Sequence, residues 1–182
     1  MMRRRMLLSL LLSPFIAKAE QQESKTISTP GGTVSMTSKT VTPVRQQIVP
    51  VGPHKLRQIH ELDKAAKQFL AVYQPGATPS LKAYDEAFRF WQRDKASRFS
   101  VDDVVERLGA YLGSRLAEDF DMEWVEVTDE YGTDLAVRAR KYEVVSFPLS
   151  SVAKRVQNNQ YDFMAGVYYA VKDAIASGPK ER

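Results

Sequence analysis

The chain contains no cysteine. That one absence removes thiol nucleophiles, Cys-ligated zinc, iron–sulfur ligation and disulfide staples together. A domain of this length can build a core large enough to do without disulfides, so the absence bears on stability and leaves the compartment open. Histidine is almost as scarce. His54 and His60 are the only two, and six residues apart they point about 120° away from each other on a helix, so they do not converge on a metal. There is no H-E-x-x-H, no G-x-S-x-G and no phosphate-cradling glycine loop. No apolar run reaches the roughly 20 residues that span a bilayer. None of these patterns implies a cofactor or a metal.

The longest apolar stretch lies at the N-terminus, where it has the three parts of a secretory signal. Arg3, Arg4 and Arg5 give a positive start, 6–16 are mostly apolar, and Ala17-Lys18-Ala19 is a small-x-small cleavage site. The expectation is a signal peptide over 1–19, a mature chain from Glu20, and export to the periplasm or beyond. Cleavage changes the charge. The whole chain has 26 Lys+Arg against 22 Asp+Glu; removing Arg3, Arg4, Arg5 and Lys18 leaves 22 against 22. A neutral mature chain has no electrostatic case for nucleic acid, which needs a persistent basic surface, and little attraction to anionic membranes.

Residues 20–53 are rich in Ser, Thr, Gln, Pro and Gly and read as a flexible arm, with weak alternation over 33–42 that suits an edge strand. From residue 54 to 177 the pattern is that of one α+β domain, followed by a short tail, 178–182. Leu56, Ile59, Ala66, Phe69, Leu70 and Tyr73 recur at helical spacing up to Pro75-Gly76. A second helix starts near Thr78-Pro79. A third starts at Ser100, with Asp103 completing an acidic capping box. Gly109 and Gly113, one turn apart on that third helix, predict a close neighbour, since glycine inside a helix costs up to about 1 kcal/mol relative to Ala.

The period then switches to two. Trp124–Val127 and Leu135–Arg138 alternate around Asp129-Glu130-Tyr131-Gly132, a hairpin loop, and a third strand is expected over 142–147 before Pro148. Two further helices follow. The second carries Tyr168 and Tyr169, of which one is expected at the surface. The expected architecture is three N-terminal helices, a three-stranded antiparallel meander and two C-terminal helices.

Asp129-Glu130-Tyr131-Gly132-Thr133-Asp134-Leu135-Ala136, followed by Phe147-Pro148-Leu149-Ser150 and Val152-Ala153-Lys154-Arg155, resembles a bacterial family known as domain of unknown function 3806. The likeness runs over about residues 80–176. It implies the domain and carries no established activity, cofactor or catalytic residue.

Three motifs bear on chemistry. Ser151-Val152-Ala153-Lys154 fits the S-x-x-K of penicillin-binding proteins, but no Ser-Asp-Asn accompanies it and the chain is far shorter than such a domain; a helix start with Ser150 or Ser151 capping is the simpler reading. Asp129, Glu130 and Asp134 crowd one hairpin and, suitably separated, would run acid/base glycan hydrolysis; a polar turn bonding its own backbone is the plain alternative. The acids with Tyr131 on one side, and Lys154 and Arg155 on the other, form a recognition surface if they share a face. The favoured expectation is a non-catalytic exported binding domain, with a protein as partner, on the pattern of a periplasmic immunity protein. A cell-wall or glycan hydrolase, and an envelope structural or assembly factor, are the alternatives.

Overall fold

A computed structural model of the chain describes residues 46–178 and the backbone of two earlier strands, β1 (Gln22–Thr29) and β2 (Gly32–Lys39). These two pair antiparallel as a unit of their own. The expected signal peptide, 1–19, lies outside the described residues, as does most of the tail.

The second unit is an α+β domain, with β3 (Gln47–Pro50), α1 (Pro53–Tyr73), α2 (Leu81–Arg93), α3 (Val101–Phe120), β4 (Met122–Asp129), β5 (Gly132–Ala139), β6 (Val145–Ser146), α4 (Pro148–Gln157) and α5 (Met164–Ser177) in chain order. Its sheet is antiparallel in the order β3-β4-β5-β6. The class agrees with expectation, and the strand count does not: there are four strands, and the first comes before the helices. Gln47–Pro50, expected within the arm, pairs with Val125–Thr128. Its brevity and its closing proline hid it, and both are tolerated because it is an edge strand. The last strand is shorter than expected, only two residues. The Val144 amide turns back to the Tyr142 carbonyl at 2.8 Å, so the chain turns at 142–144, with the Val144 carbonyl still accepting from the Ala139 amide at 2.9 Å, and the continuous strand is Val145 and Ser146.

Local chemistry sets the helix starts. Ser80 caps α2 by accepting from the Ala83 amide at 3.2 Å, two residues later than Thr78. Ser100 and Asp103 form the full capping box of α3, each side chain accepting from the other's backbone amide, at 3.1 and 3.0 Å. The Ser100 hydroxyl, at 2.7 Å, and the Ser100 amide both donate to the Asp103 carboxylate, which favours its ionised form and holds its pKa below the ordinary value. At the other end Asp121 takes a left-handed conformation, φ 51°, and turns the chain straight into β4.

That reversal lays α3 along the sheet face carrying Trp124, Val137 and Ala139, with Val104, Leu108, Leu112 and Leu116 fully buried. A Cβ at Gly113 would stand 2.2 Å from the Trp124 ring and 3.0 Å from Pro148; one at Gly109 would stand 2.8 Å from the Leu149 Cα. The two glycines are therefore the points where α3 touches β4 and the start of α4. A smaller cluster, Val125, Val127 and Ala136 with Ile48, Val145 and Phe147, occupies the opposite face.

The last helix is tied down differently. Helix α5 has no side-chain cap of its own. Asp85 of α2, 3 % exposed, supplies one from across the fold, its Oδ1 accepting from the Phe163 and Met164 amides at 3.1 Å each. One turn along α2, Arg89 pairs with Asp162. Burial raises the Asp85 pKa against the lowering effect of these amide bonds.

Gly113→Ala is expected to lower unfolding free energy in urea by about 1–3 kcal/mol, the usual cost of overpacking. Gly166→Ala, on α5 with nothing within 4 Å of its Cβ position, is expected to be neutral or to stabilise by about 0.4–1 kcal/mol. For Asp85, the folded chain holds the carboxyl proton more tightly than the unfolded chain. Its contribution to stability therefore declines as pH rises from 3.8 through the raised folded value. Asp85→Asn is expected to flatten that part of the wild-type stability–pH curve. Asp85→Ala leaves the α5 amides without their cap and is expected to cost about 1.5–3 kcal/mol at neutral pH.

Candidate functional site

The residues singled out in the sequence fall into three places. At the β4–β5 tip the Asp129 carboxylate accepts from the Tyr131 amide at 2.8 Å, an Asx-turn, and Gly132 at φ 127° closes the loop in a region that disfavours side chains. The Thr128 and Thr133 hydroxyls bridge the strands beneath at 2.8 Å. Glu130 is exposed and Tyr131 is 91 % exposed. A hydrogen bond to Glu130, together with its charge, raises the Tyr131 pKa.

Asp134 is placed otherwise. One oxygen accepts from the Leu135 amide at 2.8 Å and the other from the Ser150 hydroxyl, clasping β5 to the first turn of α4. Neither serine caps α4, contrary to expectation: the N-cap position is Phe147, with no side-chain bond, and Pro148 follows. Ser151 donates its amide to the Phe147 carbonyl as part of the helix, and Lys154 is exposed. Arg155 lies toward the far end of α4, its guanidinium 5.8 Å from the Phe163 ring centre.

The acidic tip and the basic pair are thus held by different partners, and no ion pair joins them. Asp129 serves its turn, Asp134 serves a clasp and Glu130 stands in solvent. The enclosed carboxylate pair that glycan hydrolysis needs is not formed there. Among the described residues no group of three or more His, Asp or Glu is positioned to hold a metal ion.

A different set of side chains does converge. Helices α1, α3 and α5, with the Pro79–Leu81 segment, enclose an open cleft of about 600 Å³. Asp63 and Lys67 enter it one turn apart on α1. Helix α3 contributes Tyr111, Ser114, Arg115, Glu118 and Asp119, the first four at the i, i+3, i+4, i+7 spacing of one helix face. Tyr168 and Tyr169 come from α5, the latter 57 % exposed.

The cleft is internally braced. Arg115 holds Glu118 and Asp119, both at 3.0 Å, and the Tyr168 hydroxyl donates to Asp119 at 3.0 Å. The Tyr168 ring lies 4.8 Å from Phe120 and 5.5 Å from Tyr169, edge to face with the latter. Below Tyr111, with ring centres 4.0 Å apart, sits the fully buried Tyr84.

Three groups are left over. The hydroxyls of Tyr84 and Ser114 are buried without a hydrogen-bond partner, and Ser114 is only 6 % exposed. Burial drives the Tyr84 pKa far above its ordinary value. Asp63 makes no hydrogen bond or ion pair among the described residues; burial first, and the charge of Glu118 second, raise its pKa, while His60, Lys67 and Arg115 pull it back.

Residues 84–168 match the family described as domain of unknown function (DUF3806). No curated protein matches the chain. A crystal structure from Bacteroides thetaiotaomicron VPI-5482 is similar in fold, with a TM-score of 0.56 at 12 % identity, over 84 % of this chain and 69 % of that one. At that identity the likeness speaks for the fold alone. The family segment starts at the buried Tyr84, takes in all of α3 and ends at Tyr168, leaving outside it α1, which brings Asp63 and Lys67. Over residues 84–168, then, the chain is similar to the DUF3806 domain family.

Proposed function

We propose that this protein is an exported binding module without catalytic chemistry of its own, that its partner is a protein, and that it binds through the cleft between α1, α3 and α5. The observation that carries this reading is the buried, partnerless Ser114 hydroxyl in the cleft wall. A buried polar group without a partner costs about 1–3 kcal/mol, and an incoming ligand that supplies the bond recovers it. Tyr169 adds a rigid amphipathic ring at the rim, a residue type enriched at protein interfaces.

Binding fits this site better than acid/base catalysis, because Arg115 and Tyr168 already engage two of its three carboxylates. Export rests on the N-terminal sequence: the three arginines, the apolar stretch and Ala17-Lys18-Ala19. An immunity-type protein that masks a toxin by direct contact has this profile of one Cys-free domain with a cleft carrying both signs of charge.

The test uses the chain purified after export, whose mass is expected to give Glu20 as first residue. It is presented to envelope and secreted extracts beside two folded variants, Tyr169→Ala at the cleft and Tyr131→Ala at the hairpin tip. A stoichiometric protein held by wild type and Tyr131→Ala, and held at least about tenfold more weakly by Tyr169→Ala, is the expected result. Loss only in Tyr131→Ala moves the interface to the hairpin, and equal capture by all three removes the cleft from the account.

A further inference from the structure

The cleft has an uncompensated charge. It contains three carboxylates, Asp63, Glu118 and Asp119, and two cations, Lys67 and Arg115. Arg115 is committed to Glu118 and Asp119 through both of its terminal nitrogens. Lys67, one turn from Asp63 on the same helix, forms no ion pair with it among the described residues and is exposed. Asp63 is left half-buried, with nothing donating to it. A carboxylate withdrawn from water keeps its charge readily only when a cation or a set of donors replaces the water.

The neighbours of Asp63 narrow what that replacement is. Ser114, nearly fully buried and facing the cleft, offers an oxygen with no partner. Tyr111, Tyr168 and Tyr169 offer aromatic rings, whose faces attract cations. An anion would meet three carboxylates. A neutral sugar would fill the hydroxyl's valence but leave Asp63 without a counter-charge. A metal ion would need ligands that the site does not assemble.

We infer that the cleft receives an organic ammonium group, its N–H donors directed to Asp63 and the Ser114 hydroxyl oxygen and its carbon substituents against the tyrosine rings. This deepens the binding reading above and rests on it. An alkylammonium reaches such a site from two sources, the lysine side chain of a protein partner or a free amine, and the chemistry recognised is the same.

The test is an amide-shift titration of the exported chain with n-butylammonium, tetramethylammonium and 1-pentanol, and with the peptide acetyl-Gly-Lys-Gly-amide and its Nε-acetylated form. Saturable shifts at residues 63, 114 and 168 are expected with butylammonium and the lysine peptide. The neutral alcohol and the acetylated peptide are expected to bind at least about tenfold more weakly. Asp63→Asn, which keeps the shape of the side chain, is expected to cost every ammonium at least about tenfold. Ser114→Ala is expected to weaken butylammonium and to spare tetramethylammonium, which has no N–H to donate. A lysine peptide binding more tightly than butylammonium assigns the group to a protein partner, and the reverse order assigns it to a free amine. Equal binding of the alcohol, an Asp63→Asn variant unchanged for ammonium, or no saturable ammonium binding overturns the inference. If those results came with a partner still lost in Tyr169→Ala, the binding module would stand and only its ligand class would fall.

Discussion

Helix α3 lies flat on the sheet because Gly109 and Gly113 leave no side chain where Leu149, Trp124 and Pro148 pass. Everything else in the domain is arranged around that contact. Trp124 cannot withdraw, since it is buried against α3 and paired across the ladder to Val137. Pro148 cannot withdraw either, because its ring opens α4 directly after β6. Two helical glycines carry a propensity cost of about 1 kcal/mol each, and close packing of a full hydrophobic face offsets it. The same contact sets which face of α3 is left for other work. With the glycine side turned to the sheet and to α4, the row Tyr111, Ser114, Arg115, Glu118 is left to face the cleft.

Asp85 does for α5 what the glycines do for α3. A helix arriving after a loop with no cap of its own would fray at its start. The Asp85 carboxylate meets its first amides from the adjacent α2, and Arg89 secures the residue before them. The position of Tyr168 and Tyr169, one to two turns into α5, is therefore fixed from α2. A buried carboxylate is costly to desolvate, and amide donors at a helix N-terminus are among the few partners that offset the cost without a counter-ion. Asp63 is only half-buried and has no such donors, which is why the two residues lead to different conclusions.

Much of the scaffold was legible in the sequence. The capping box at Ser100 and Asp103, the stripes of α1 to α3, the Gly109/Gly113 contact and the hairpin at Gly132 all follow from local rules of spacing and cap chemistry. Strand β3 was not legible, because four residues ending in proline have no period to detect, and their pairing with β4 is more than seventy residues distant. The candidate site was legible only at one edge, in the expectation of a surface tyrosine at 168 or 169. Asp63, Ser114 and Tyr84 come from three helices, and each reads alone as an ordinary helical residue. Their isolation shows only when the fold brings them together and leaves them without partners. By contrast Asp129, Glu130 and Asp134 stood out because they are crowded in sequence, in a turn where Asp129 bonds the backbone amide two residues on.

Comparing the two acidic groups shows what separates a polar turn from a recognition surface. The hairpin acids spend their lone pairs locally or in water, so the turn is complete as it stands and a ligand gains nothing by replacing those bonds. In the cleft, Arg115 completes Glu118 and Asp119 and makes them a rigid wall, while the same bonds leave it acting on Asp63 only at a distance, without an ion pair. The bracing therefore leaves Asp63 without a partner in contact among the described residues. Such an arrangement favours ligands that carry their own donors and positive charge, and it rejects isosteres lacking them through the cost of leaving Asp63 and Ser114 unpaired rather than through lost contact area. The selectivity of the site lies in Asp63, its affinity in the tyrosines around it, and the geometry of both in the glycines and the buried aspartate that fix α3 and α5.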